Sequence, residues 1–162
     1  MNKDIIIGYG NPDRQDDGVA WHILKQINQR LGRISPLTID DEFPPAPDSP
    51  ELIFQLQLTP ELSETISKFD RVCFVDAHTG NVPNDVQQAE VLSDFQSSPF
   101  THHLTPSTCM ALVQTLYQKK PEAILVSVRG FEFGFHYTLT DRTATLASQA
   151  VELIWQWLNF PK

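Results

Sequence analysis

Short apolar runs alternate along the chain with segments in which apolar residues recur every three or four positions. Nearly continuous apolar runs are typical of parallel strands covered on both faces, and the longer spacing is that of amphipathic helices. Strands are predicted at 4–8, 37–40, 52–58, 71–77, 87–92 and 123–128. Helices are predicted from Asp16 or Asp17 to about Gly32, from Thr59-Pro60 to about Phe69, from Thr105-Pro106, and over 141–158. The alternation predicts an α/β domain with a mostly parallel sheet.

Two further segments have their own signatures. The stretch 41–50 contains four prolines and several acidic residues, so it is predicted as a loop. The Phe-rich segment 131–135 is predicted as a hairpin or an edge segment. The length of 162 residues suits one domain, expected to span 1–162.

Composition narrows the function classes. Twelve basic against twenty acidic residues give a formal net charge of −8, which argues against nucleic acid or an anionic membrane as the main partner. No stretch approaches the ~20 apolar residues of a membrane span, and no signal core precedes the first strand, so a cytoplasmic protein is expected. Cys73 and Cys109 lie in apolar surroundings without CxxC spacing and are predicted to be buried free thiols.

The segment 8–18 between the first strand and the first helix carries the strongest chemical signal. Nucleotide-binding folds hold a phosphate at such a Gly-x-Gly turn, but the third glycine of the dinucleotide fingerprint is missing here. The segment instead contains Asp13, Asp16 and Asp17, which would repel a phosphate and attract a cation. Either Asp16 or Asp17 is expected to cap the helix, which leaves the other as a surface charge or a ligand.

Asp76 and a pair of histidines extend this signal. Asp76 ends the central apolar strand, at the edge where ligands gather in open α/β sheets. His102 and His103 precede a predicted helix: either one packs while the other is solvated, or one donates to a cation held by Asp17 and Asp76. Two carboxylates and an imidazole suit nickel, manganese, iron or zinc and leave coordination positions open, as metal-assisted hydrolysis requires.

The other histidines and the standard motifs add little. The chain has no HExxH, no P-loop lysine motif, no GxSxG and no CxxC. His22 is interpreted as a helix residue without a role. His78 is either a second ligand or a loop residue, and the loop interpretation is favoured. His136 follows the Phe-rich segment, and its direction is not fixed by the sequence.

Four motifs in order resemble the hydrogenase maturation endopeptidases, and the resemblance extends over nearly the whole chain. They are Gly8-Tyr9-Gly10-Asn11, Asp16-Asp17-Gly18, Val75-Asp76-Ala77 and Thr101-His102-His103-Leu104-Thr105-Pro106. The resemblance implies a three-layer α/β/α sandwich related to phosphorylase and peptidyl-tRNA hydrolase architectures. It also implies a nickel-recognising endopeptidase, of aspartic type by the family's convention, that removes the C-terminal extension of a nickel-iron hydrogenase large-subunit precursor after nickel insertion.

The same resemblance implies the site residues. The family binds metal through an acidic residue of the first loop, an Asp at the end of the third principal strand and a His before a helix. By position, the resemblance implies Asp17, Asp76 and His102 as the metal-binding and catalytic residues of this chain. His102 is preferred to His103 because Leu104 fills the family's apolar position, and Asp16 becomes a structural residue. Nickel is supplied by the precursor, other divalent ions are expected to replace it in vitro, and the protein is expected to be a monomer.

Two other functions are alternatives to the endopeptidase. A non-catalytic nickel-sensing chaperone would bind the loaded precursor and license a different protease. A nucleotide or small-molecule hydrolase would need a first loop that binds phosphate, and the acidic residues of 8–18 disfavour phosphate binding. Within the endopeptidase hypothesis, the metal either polarises the scissile carbonyl or serves only as a recognition signal.

Overall fold

A computed structural model of the chain describes residues 2–34, 36, 38–45, 48–95 and 104–160. Five strands form one sheet within these residues: β1 (Asp4–Tyr9), β2 (Glu51–Gln55), β3 (Arg71–His78), β4 (Val86–Glu90) and β5 (Glu122–Arg129). The strand order is β2-β1-β3-β5-β4, and only the pairing of β4 with β5 is antiparallel. The predicted mostly parallel sheet is therefore confirmed.

Four α-helices cover the two faces of this sheet: α1 (Val19–Arg30), α2 (Leu62–Ile66), α3 (Pro106–Tyr117) and α4 (Asp141–Asn159). Helices α1 and α4 pack on one face, and α2 and α3 pack on the other, each pair over its own apolar core. The central strands serve both cores, because successive side chains point to opposite faces. The arrangement confirms the three-layer α/β/α architecture. None of the helices in the described part of the chain combines the length and apolarity needed to cross a bilayer.

The strands at the centre of the sheet are apolar because both of their faces are covered. Ile5, Ile6 and Ile7 are fully buried on β1, and burying such a side chain contributes about 1.5–3 kcal/mol. Cys73 on β3 and Cys109 on α3 are buried free thiols, as predicted. Burial raises the pKa of both thiols, that of Cys109 to about 12, so neither is a reactive thiolate at neutral pH.

The first helix starts later than predicted. Two 3-10 turns separated by a kink occupy Pro12–Gly18, and α1 begins at Val19 with Gly18 at its N-cap and without a side-chain cap. The prediction that Asp16 or Asp17 caps this helix is wrong, because both carboxylates accept hydrogen bonds from other backbone groups. Gln15 lies at the kink with φ 53° and ψ −111°, an unfavourable conformation for a residue with a side chain.

The predicted strand over 37–40 is also wrong for its described residues. Thr38–Asp41 forms a turn in which the N–H of Asp41 donates to the carbonyl of Thr38 (3.2 Å). The Asp41 carboxylate accepts from the N–H of Thr38 in return (3.1 Å). Such local side-chain bonds compete with strand pairing, so the apolar pattern did not produce a strand. Leu37 lies outside the described residues.

The limits of β2, α2 and β4 and the nature of the segment 131–135 differ from those predicted. β2 ends at Gln55, so Leu56 is exposed, and Leu58 reaches the core from the following loop. α2 covers only Leu62–Ile66, because turns with bonds between residues three apart flank it on both sides. The segment 131–135 is neither hairpin nor edge strand but part of the loop 130–140, whereas the predicted helix over 141–158 is confirmed as α4.

Candidate functional site

Three polar side chains form a row across the carboxyl ends of β1, β3 and β5, here called the carboxyl rim. Asp76 and Ser127 are direct neighbours in the register of β3 and β5. Tyr9 follows Gly8, which pairs with Val75, so it lies beside Asp76 on the other side. The alternation of the strands directs all three toward the face covered by α2 and α3.

Two hydroxyl groups bind opposite oxygens of the Asp76 carboxylate. The Tyr9 hydroxyl donates to Oδ2 and the Ser127 hydroxyl donates to Oδ1, each at 2.8 Å. Burial raises the pKa of Asp76, and the negative charge of Asp17 raises it further. The hydrogen bonds from Ser127 and Tyr9 and the nearby His78 oppose this rise without cancelling it. Burial and the adjacent Asp76 also raise the pKa of Tyr9, which keeps its hydroxyl protonated as a donor.

Asp17 reaches the same rim from the β1–α1 loop, residues 10–18. Its Oδ2 accepts a hydrogen bond from the backbone N–H of Asn11 (2.8 Å), and the Asn11 side chain in turn accepts from the N–H of Asp13 (3.0 Å). Gly10 has φ +145°, and a Cβ there would lie 2.2 Å from the Asp17 carbonyl oxygen, so the close packing of the loop requires glycine. The effect of Asp17 on the pKa of Asp76 indicates that the two carboxylates repel each other across the rim.

Asp16 has a different role from its neighbour. It is fully buried, and five donors from the loop 130–140 and the start of α4 converge on its carboxylate. The donors are the backbone N–H groups of Phe131 (2.8 Å), Glu132 (3.2 Å) and Thr140 (2.8 Å) and the hydroxyls of Thr140 (2.8 Å) and Thr143 (2.9 Å). Burial opposes ionisation, but these bonds outweigh it and lower the pKa of Asp16. Asp16 therefore links the β1–α1 loop to the loop 130–140 through hydrogen bonds.

The predicted histidine ligand, His102, and its alternative, His103, lie outside the described residues. The described chain resumes at Leu104, which packs against the core under α2 and α3. Thr105 then caps α3 by accepting from the N–H of Thr108 (3.2 Å), as the sequence predicted. α3 thus begins on the face of the sheet toward which Asp76 points. Within the described ranges, no group of three His, Cys, Asp or Glu side chains is arranged to hold a metal ion.

The histidines that the structure describes have local partners. At His78, Nδ1 accepts from the N–H of Gly80 (3.0 Å) and Nε2 lies 3.2 Å from the carbonyl of Asp85, so both ring nitrogens contact the backbone of the β3–β4 loop. His78 is itself the buried last residue of β3, so the favoured prediction of a loop residue is wrong. His22 is half-buried on α1, and His136 is exposed in the loop 130–140.

Sequence reasoning missed Tyr9 and Ser127. Ser127 is the only polar residue in the run 123–128, and a buried hydroxyl in such a run usually has a partner. Tyr9 stands between two glycines at the end of β1, the strand adjacent to the one that carries Asp76. Both signals are present in the sequence, but their meaning depends on the strand order.

Solved structures of hydrogenase maturation proteases have a fold similar to that of this chain. The chain is similar to the hydrogenase maturating endopeptidase HybD from E. coli, with a TM-score of 0.69 and 17% identity over 97% of this chain and 92% of that one. It is similar to the [NiFe] hydrogenase maturation protease HycI from Thermococcus kodakarensis KOD1, with a TM-score of 0.67 and 20% identity over 98% and 93%.

A third similar structure is the [NiFe] hydrogenase maturation protease HybD from Thermococcus kodakarensis, with a TM-score of 0.65 and 15% identity over 95% of this chain and 97% of that one. No protein-family model and no curated protein matches the sequence. At these identities the likeness establishes a shared fold over nearly the full length of each chain. The fold that the sequence resemblance implied is thereby confirmed.

Proposed function

We propose that this protein is an endopeptidase that removes the C-terminal extension of a nickel-iron hydrogenase large-subunit precursor after nickel insertion. The near-full-length fold likeness to proteins described as hydrogenase maturation proteases supports this class of activity. The observation that carries the proposal is the pair Asp17 and Asp76 at the carboxyl rim, where the negative charge of Asp17 raises the pKa of Asp76. A bound dication would relieve that repulsion.

Nickel in the precursor is the proposed signal that the substrate is ready. Asp17, Asp76 and His102 would supply two carboxylate oxygens and an imidazole nitrogen, a donor set that suits nickel. Because the two carboxylates repel without a cation between them, a nickel-loaded precursor gains affinity that an empty precursor lacks. His102 is proposed as the third ligand because the described chain resumes two residues later, at Leu104, on the face of Asp76.

The proposed activity needs a water molecule and a scissile carbonyl at the rim. A metal ion with open coordination positions polarises such a carbonyl or lowers the pKa of a bound water. The proposed roles of Asp17 and Asp76 are to orient the precursor at its nickel and to offset the nickel charge. We also propose that the protein is a monomer and acts in the cytoplasm. Size-exclusion chromatography of the purified protein measures its oligomeric state.

A processing assay tests the proposal. Purified protein is mixed with nickel-loaded or nickel-free precursor, and mass spectrometry detects the shortened large subunit. We expect cleavage of the loaded precursor only, abolished by Asp17→Asn, Asp76→Asn and His102→Ala. Asp13→Asn, which changes an exposed carboxylate of the same loop, and His136→Ala, which removes an exposed histidine, are matched controls expected to retain activity.

The same assay separates the endopeptidase from a chaperone. If the loaded precursor binds but is never shortened, the protein is a non-catalytic nickel sensor and the endopeptidase proposal is wrong. If His103→Ala abolishes cleavage and His102→Ala retains it, the third ligand is His103.

A further inference from the structure

We propose that Tyr9 and Ser127 are positioning residues for nickel recognition, which they serve by fixing the orientation of the Asp76 carboxylate. This inference rests on the proposed function, because it concerns how Asp76 presents its oxygens to the nickel of the precursor. It adds two residues that touch neither nickel nor peptide themselves. Both act through the carboxylate that they hold.

The geometry of the two hydrogen bonds carries the inference. An aspartate carboxylate rotates easily about its terminal torsion, which has a broad, roughly two-fold profile. Here each oxygen holds one donor at 2.8 Å, and the donors come from the two strands that flank β3. Rotation of the carboxylate would break both bonds at once. Each oxygen keeps further acceptor capacity that the hydroxyls do not use.

Both donors are themselves held in place. Ser127 is 6% exposed at the end of the row beside Asp76, and its backbone lies in the strand pairing of β3 with β5. The Tyr9 ring packs against the core under α2 and α3, which limits where its hydroxyl can reach. Ligating carboxylates are commonly hydrogen-bonded by such outer residues, and loss of the outer bond typically weakens metal affinity or activity by about 10–100-fold.

A purely structural role makes a different prediction. If the hydroxyls only satisfied a buried carboxylate, their loss would lower stability and affect every substrate to the same extent. If they position Asp76, their loss lowers affinity only where nickel is present. The difference between nickel-loaded and nickel-free precursor therefore distinguishes the two roles.

The experiment compares Tyr9→Phe, Ser127→Ala and the double variant in the full-length protein. Affinities for loaded and nickel-free precursor are measured by isothermal titration, alongside titration with nickel chloride alone. We expect each single variant to bind the loaded precursor and nickel about tenfold more weakly, with unchanged affinity for the nickel-free precursor. Ser127→Thr, which keeps the hydroxyl, should restore binding. Tyr137→Phe and Ser148→Ala change exposed hydroxyls and serve as controls.

The outcomes separate this inference from the proposed function. Wild-type affinities in both single variants and in the double variant, or equal weakening toward loaded and nickel-free precursor, overturn the positioning role while cleavage by the wild type still stands. A wild type that binds the loaded precursor without cleaving it overturns the endopeptidase, and the variants still report on positioning. A wild type with no preference for the loaded precursor and no nickel binding overturns both.

Discussion

Replacement of Asp16 by asparagine tests whether a buried carboxylate holds the β1–α1 loop against the loop 130–140. Four of the five donors around Asp16 approach Oδ2, and one, the N–H of Thr140, approaches Oδ1. Asparagine has nearly the same shape but offers a single, uncharged oxygen. Whichever way the amide is turned, its NH₂ group faces at least one donor that the carboxylate accepted.

The size of the effect follows from these contacts. A hydrogen bond to a charged partner contributes about 1.5–3 kcal/mol, and a buried donor without an acceptor costs about 1–3 kcal/mol. With one bond lost, one buried donor left unpaired and the others weakened by loss of the charge, Asp16→Asn should lower the free energy of unfolding by about 3–5 kcal/mol. That is a large fraction of the roughly 5–15 kcal/mol that holds a typical domain.

Urea unfolding at pH 7, followed by circular dichroism, measures this change. Asp13→Asn is the matched control, because Asp13 is an exposed carboxylate three residues earlier and should change stability by no more than about 0.5 kcal/mol. Amide hydrogen exchange then locates the loss, since the N–H groups of Phe131 and Thr140 should lose protection first. A loss below about 1 kcal/mol, with both amides still protected, would refute the reasoning.

Three further predictions concern stability. Because the pKa of Asp16 is lowered in the folded state, the stability that Asp16 contributes is present above the ordinary aspartate pKa and is lost as the pH falls through the folded pKa. In urea unfolding over a series of pH values, Asp16→Asn should remove this acid-dependent part of the free energy of unfolding. Gly10→Ala should destabilise the chain by more than Gly32→Ala, because only at Gly10 does the new Cβ meet backbone, and thermal unfolding compares them. In the wild type, Arg71 donates two hydrogen bonds, of 2.7 and 2.8 Å, to the buried carboxylate of Asp4. Arg71→Met leaves this carboxylate without its partner and should lower the free energy of unfolding in urea by about 3–5 kcal/mol. Adding Asp4→Leu should recover most of the loss, and no recovery would contradict the ion-pair explanation.

The parts of the fold that the sequence predicted well are those governed by local periodicity. β1, β3, β5 and α4 have continuous patterns, and the Thr105 cap depends only on its near neighbours. The apolar patterns at 37–40 and 131–135 were misleading, because the described residues 38–40 form a turn and the segment 131–135 contacts a distant loop. Periodicity contains no information about such contacts.

The candidate site divides in the same way. The rule that ligands bind at the carboxyl ends of parallel strands predicted that Asp17 and Asp76 lie at the same rim, and the charge of Asp17 raises the pKa of Asp76 in the structure. The roles of Tyr9 and Ser127 depend on which strands are neighbours, and that of Asp16 depends on bonds to residues 115 to 127 positions away. Neither is visible in a local pattern. His102 stays a prediction, since it lies outside the described residues.

The hydrogen bonds between Asp16 and the loop 130–140 determine when, during synthesis, the β1–α1 loop can reach its final conformation. The residues that hold the loop of Asp17 in place, from Phe131 to Thr143, are synthesised more than a hundred residues after Asp17. At a synthesis rate of about 5–20 residues per second, that interval lasts several seconds or more. During this time a partial chain contains the Asp17 loop without the hydrogen bonds that hold it, so this side of the carboxyl rim reaches its final conformation only after residues 131–143 have been synthesised.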